Sequence, residues 1–195
     1  TSRRYAMGLD TEPTVPSFVI RDAATEDFDQ ASSVMLGAYQ EYKPDPLPPA
    51  WADTWKAYLR EIGAVGSRAD EAQLIVAALG DHIVGAVTFY PKASNANVVD
   101  WPPEWAVIRL LAVSPARRRQ GIGRTLTQEC VRRAQRQGAR AVGLHTDSRM
   151  PNAQRLYSQL GFRRAPRFDY QPILDADITV MGWAQEFATA PSEPN

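Results

Sequence analysis

Along this chain the hydrophobic positions switch repeatedly between a period of two and a period of three to four. Residues 17–21 (SFVIR) form a short apolar run of strand length. Thr25 then suits a helix N-cap, with Glu26 and Asp27 in the dipole-favoured first turn. Phe28, Ala31, Met35 and Ala38 mark the buried stripe of a helix running to about Gln40. After a Pro-rich breaker at 43–49, Trp51, Trp55, Tyr58/Leu59 and Ile62 recur at helical spacing, and Pro49 fits the first turn of that helix. Residues 73–79 and 82–90 read as a hairpin around Gly80-Asp81. A long irregular segment, 91–103, precedes residues 105–113, which are nearly continuously apolar apart from Arg109, as in a central strand covered on both faces. Ser114-Pro115 stops that strand because Pro has no ladder donor. Ile122, Leu126, Cys130 and Ala134 form the stripe of the next helix. Residues 140–146 predict a strand, and 151–160 a helix stopped by Gly161. Residues 162–168 and 177–183 predict two last strands. The order predicts one α/β domain over 17–187 with mixed strand pairing, between polar tails at 1–16 and 188–195.

The junction between the long apolar strand and its helix carries the chemistry. It reads Arg117-Arg118-Arg119-Gln120-Gly121-Ile122-Gly123-Arg124. A helix N-terminus leaves its first N–H groups unpaired and carries roughly half a positive charge. Glycines without Cβ let a phosphate approach that backbone closely. Between Arg109 and Arg140 there are nine arginines and a single acid, Glu129, although the whole chain has net charge zero. A local basic patch on a neutral protein points to an anionic ligand of small size and away from nucleic acid, for which no recognition motif is present. No G-K-[ST] follows the glycines, which disfavours a Walker-type nucleotide site.

With 195 residues, 44% hydrophobic and 23% charged, the chain has the composition of a soluble domain with a real core. One cysteine, Cys130, and two histidines exclude internal disulfides and make a metal site improbable. Cys130 lies on the helix stripe and reads as packing. No run approaches a membrane span and no signal-peptide core is present, so the expected compartment is the cytoplasm.

The turn R-x-x-G-x-G after LLAV-S-P, with AQRLYSQLGF downstream, resembles the GNAT superfamily of acetyl-CoA-dependent N-acyltransferases. The resemblance spans roughly residues 18–184. It implies a mixed sheet of about seven strands, splayed between the fourth and fifth, with about four flanking helices. It places acetyl-CoA in that gap as co-substrate, with its pyrophosphate on the turn formed by Arg118, Arg119, Gln120, Gly121, Ile122, Gly123, Arg124 and Thr125. Leu111, Ala112 and Val113 on the fourth strand would hold the pantetheine arm, and an amide nearby would polarise the thioester carbonyl. Tyr157 falls where the family has the tyrosine facing the leaving sulfur, and would act as general acid. No metal is implied, and dimers are common in the family.

Two positions depart from the family pattern. Met150 stands where an Asn often bonds the pantetheine, leaving Asn152 as a weak cofactor contact. Val107 stands where an acid is frequent, so the base is unassigned. That matters because removing the proton from a lysine-like amine at neutral pH costs about 4 kcal/mol, against about 1 for an α-amine. Glu104 is the first candidate base, His145 the second, and Asp100 the third. The acceptor, an amine, would sit among the first two helices, the loop before Glu104 and the last strands. Tyr39, Tyr42, Trp51, Trp55, Trp101 and Trp105 would supply aromatic surface there, and Glu41, Asp45 and Asp53 charge. The reading is an N-acetyltransferase; the alternative, motivated by Val107, is a non-catalytic acyl-CoA-binding sensor.

Overall fold

A computed structural model of the chain describes residues 17–96, 101–172 and 178–187. The predicted tails at 1–16 and 188–195, the third candidate base Asp100 and the start of the last predicted strand lie outside them. Seven strands form one sheet in the order β1-β2-β3-β4-β5-β7-β6, all neighbours antiparallel except β4 and β5. They are β1 (Val19–Asp22), β2 (Gln73–Leu79), β3 (His82–Tyr90), β4 (Ala106–Val113), β5 (Ala141–Asp147), β6 (Arg163–Arg164) and β7 (Val180–Glu186). The helices are α1 (Phe28–Gln40), α2 (Ala52–Gly63), α3 (Val65–Arg68), α4 (Ile122–Arg136) and α5 (Pro151–Gln159). Among the described residues that is one more helix than expected: the single turn α3 continues directly from α2.

The two faces of the sheet are read straight from alternation. On β2, Ile75 and Ala77 join the cluster under α4 and α5, while Leu74, Val76 and Ala78 join the cluster under α1 and α2. Cys130 is fully buried in the former, and burial pushes its thiol far up, consistent with packing. A third cluster, Trp101, Trp105, Val107 and Phe168 among its members, closes the lower end of β4.

Three local readings are corrected. Thr25 does not cap α1: a 3-10 turn, Thr25–Asp27, precedes the helix, and the buried Asp27 carboxylate accepts the Ala24 N–H at 2.7 Å and the Arg21 guanidinium. The strand expected over 162–168 shrinks to Arg163–Arg164, because Pro166 has no donor and starts a 3-10 turn. Trp51 sits in a 3-10 turn, Pro49–Trp51, ahead of α2. No helix of the described residues is long and apolar enough to cross a membrane.

Candidate active site

Strand β4 changes face part-way. Ala106 and Ile108 point to the α4/α5 side, yet Leu110 and Ala112 point to α1. Period two breaks at Leu110, whose φ is +53°, and the β3 register slips between Ala86 and Thr88. This is a β-bulge, which leaves a residue out of the ladder and re-aims the strand. Below the bulge β4 pairs with β5 through Ala106, Val107 and Ile108, opposite Val142, Gly143 and Leu144. Above it the pairing stops, so Arg109–Val113 and His145–Asp147 diverge around a gap open at the carboxyl ends of two parallel strands.

On the α4 side of this gap lies the arginine- and glycine-rich turn. Arg119 and Gly121 both have positive φ, +62° and +82°, which turns successive N–H groups toward one point. Helix α4 begins at Ile122 with no side-chain cap and no acid in its first turn; the first closed bond is Thr125 N–H to the Gly121 carbonyl at 3.0 Å. The amides ahead of Thr125 are therefore free for an anion. Arg118, exposed on the turn, donates to Glu41 at the end of α1 at 2.7 Å, and Arg124 donates to Gln159 at 2.7 Å.

On the α1/α2 side lies a cavity of about 280 Å³ whose walls are mostly apolar, with Tyr39, Trp51, Trp55, Tyr58, Met150 and Tyr170 prominent among them. Two ion pairs stand in it. Arg109 Nη2 donates to Glu61 Oε1 at 2.6 Å, and Arg149 closes on both oxygens of Asp147, at 2.6 Å and 3.0 Å. The Arg109 charge bears on Tyr39, Tyr58, His145 and Tyr170 together, which places it centrally. Burial raises the Tyr39 and Tyr58 phenols, so both stay protonated.

A splayed parallel pair, an uncapped helix end on one side and an aromatic cavity on the other form a gap able to hold an extended anionic ligand against a second, smaller one. The family model for the acetyltransferase (GNAT) family matches residues 34–162, from mid-α1 to the residue before β6. The chain belongs to the GNAT family. Solved structures similar to this GNAT domain include the ribosomal-protein-S18-alanine N-acetyltransferase of Escherichia coli, at 18% identity and TM-score 0.64, covering 92% of this chain and 99% of that one. YncA of Salmonella typhimurium, solved with acetyl-CoA, is 16% identical with TM-score 0.63 over 90% of this chain and 96% of that one. The PaiA N-acetyltransferase of Thermoplasma acidophilum, in complex with coenzyme A, is 16% identical with TM-score 0.61, covering 88% and 99%. At these identities the likeness shows the fold. No curated protein matches the chain.

Within this GNAT fold the predicted site residues separate into groups. Leu111, Ala112 and Val113 lie on the free stretch of β4, and the turn residues Arg118 to Thr125 lie beside it. Tyr157 is on α5, buried with Ile108, Leu144 and Phe162, and its hydroxyl has no hydrogen-bond partner among the described residues. Burial pushes its phenol well up. Asn152 is exposed near the start of α5 and does not cap it; the Gln154 amide instead donates to the carbonyls of Asp147 and Ser148.

The candidate bases fare differently. Glu104 is an exposed turn residue at the start of β4, beneath the paired segment, and is not among the cavity walls. His145 does line the cavity, but both its nitrogens are occupied. Trp101 Nε1–H donates to Nδ1 at 3.3 Å, and Nε2–H donates to the Phe168 carbonyl at 2.8 Å. Burial lowers its pKa, and the imidazole is held neutral with no free lone pair. Trp101 and Trp105 stack on each other behind it in the third core cluster instead of lining the cavity. Glu41, Asp45 and Asp53 are absent from the cavity walls; among the described residues the acids there are Glu61 and Asp147. Sequence reading missed both. Glu61 had a signal, standing three residues after Tyr58 on the stripe that begins at Trp51 and Trp55. Arg68 fixes it by donating to the Glu61 and Ile62 carbonyls at the end of α2.

Proposed function

We propose that this GNAT protein transfers an acetyl group from acetyl-CoA to a primary amine by direct attack in a ternary complex. The observation that carries the proposal is the bulge at Leu110. It frees backbone of β4 at the one place where the anion-binding turn and the aromatic cavity meet. The turn from Arg118 to Thr125 would take the pyrophosphate, and the free edge of Leu111 to Val113 the pantetheine arm. A fixed amide at the bulge would stabilise the oxyanion that forms as nitrogen attacks the thioester carbon.

The C–N bond forms, the C–S bond breaks, and one proton leaves the nitrogen. Among the described residues, Glu61 is the cavity carboxylate that keeps an oxygen without a partner, since Arg149 takes both oxygens of Asp147. Glu61 therefore receives the proton, in place of Glu104. The leaving thiolate, with a pKa of about 8.5, is a weaker base than the phenolate of a buried tyrosine. Tyr157 thus acts on the sulfur by hydrogen-bond donation, a narrower part than full general acid. Cys130 is buried and far from any thiolate character, so no acyl-enzyme is formed on it.

The test is release of free CoA thiol with a panel of primary amines. Tyr157→Phe is expected to lower kcat by about 10-fold or more, with the acetyl-CoA KM unchanged. Bound acetyl-CoA with no transfer to any amine would assign the protein to the sensor class instead.

A further inference from the structure

The cavity carries more information than the presence of an amine. Arg109 emerges from β4 immediately before the bulge, and its side chain is only 21% exposed. A guanidinium has five N–H donors. Among the described residues two are used: one on Glu61 at 2.6 Å and one, weakly, on the Ala96 carbonyl at 3.4 Å. The remaining donors of this cation, unpartnered among the described residues, reach solvent through the cavity and are open to a ligand that supplies acceptors. Beside it, Glu61 holds one unpartnered oxygen, and Thr146, another wall of the cavity, has a buried hydroxyl with no partner.

We propose that the acceptor is a free amino acid with an apolar or aromatic side chain, recognised through its carboxylate by Arg109. This rests on the acetyltransferase reading and adds the acceptor class to it. The planar fork of Arg109 suits a carboxylate, which takes two parallel N–H···O bonds. Glu61, already bonded to the same guanidinium, faces the neighbouring ammonium. The cation–anion pair of the cavity is thus the complement of the anion–cation pair carried on one α-carbon. The side chain enters the wall formed by Trp51, Trp55 and Tyr58. A volume of about 280 Å³ is enough for one such molecule. A polyamine would bring a second cation against Arg109 and Arg149, where, among the described residues, Glu61 offers the one open carboxylate oxygen.

The experiment compares steady-state acetylation of L-leucine, L-methionine and L-phenylalanine with their carboxamides, with spermidine, and with a tripeptide beginning in leucine. The carboxamides keep the shape and have the less basic amine, so intrinsic reactivity at neutral pH favours them. A preference for the free acids of about 100-fold or more in kcat/KM is expected, because the carboxamides leave Arg109 incompletely paired. Arg109→Leu should erase that preference through KM while CoA affinity is retained, and Arg109→Lys, which keeps the charge and loses the fork, should restore part of it. Carboxamides, spermidine or the tripeptide acetylated as well as the free acids would overturn the assignment. An unchanged preference in a folded Arg109→Leu protein would do the same. Absence of transfer to every acceptor, with acetyl-CoA bound, would overturn the acetyltransferase reading itself.

Discussion

Replacing Gly123 by alanine separates what the turn does for folding from what it does for a ligand. Gly123 is the second residue of α4, and its φ is not in the left-handed region. A Cβ built there meets Leu156 Cδ2 and Val113 Cγ2 at 3.6 Å each, ordinary van der Waals contact. Alanine in a helix is favoured over glycine by up to about 1 kcal/mol. A net gain of about 0.5–1 kcal/mol corresponds to a melting temperature higher by about 1–4 °C for a domain of this size. The same methyl, however, enters the space between the end of β4 and α5, on the helix turn proposed to take the pyrophosphate, where it would crowd that ligand. Loss of one charge-assisted hydrogen bond to phosphate, about 1.5–3 kcal/mol, lowers CoA affinity about 10- to 100-fold. Calorimetric titration with CoA beside thermal melts reads both quantities. Gly121→Ala is the control: at φ +82° it has open space yet carries backbone strain of about 1–2 kcal/mol, so it loses stability as well. A Gly123→Ala protein that is stabilised and binds CoA as tightly as the parent would refute the placement of the pyrophosphate.

Three more predictions test the surroundings. A Cβ at Gly143 would lie 2.8 Å from the Trp101 ring, so Gly143→Ala should cost about 1–3 kcal/mol and lower the melting temperature; an unchanged melt would show that Trp101 moves freely. His145 is lowered in the fold by burial, so its contribution to stability is full above the ordinary histidine pKa of about 6.5 and is lost as pH falls below that value. Asp27 and Asp169, held down by Arg21 and Arg164, lose theirs only in the carboxylate range near pH 4. Urea titrations should therefore show stability falling between pH 7 and 5, with a shallower fall in His145→Gln, and equal slopes would sink the assignment. With the pyrophosphate placed as proposed, Glu41 would compete with it for Arg118 through a half-exposed pair worth at most about 1 kcal/mol. Glu41→Gln should tighten CoA binding by up to about 5-fold at low salt and by nothing at high salt; looser binding would contradict it.

Much of the architecture was legible because it is written in short-range pattern. The strand–helix order, the stripe of α4 and the stop at Gly161 all follow from neighbours within about a turn. The corrections come from competition that pattern does not register. Asp27 displaces Thr25 as the capping group because one carboxylate reaches both Ala24 N–H and Arg21. The bulge was invisible because it falls on Leu110, where no glycine or proline marks the irregularity. His145 reads as a free titrating base until Trp101, 44 residues before it, and Phe168, 23 after it, occupy its nitrogens.

Sequence alone thus determined the α/β order, the family resemblance and the position of the Arg- and Gly-rich turn between β4 and α4, since each depends on residues adjacent in the chain and on backbone preference. Tertiary structure decided which acids and arginines share the cavity. Glu61 and Arg109 are 48 residues apart, and the packing of α2 on α1, which itself lies on β4, brings them together. Side-chain charge has no period, and its partner is chosen by distance and burial in the folded chain.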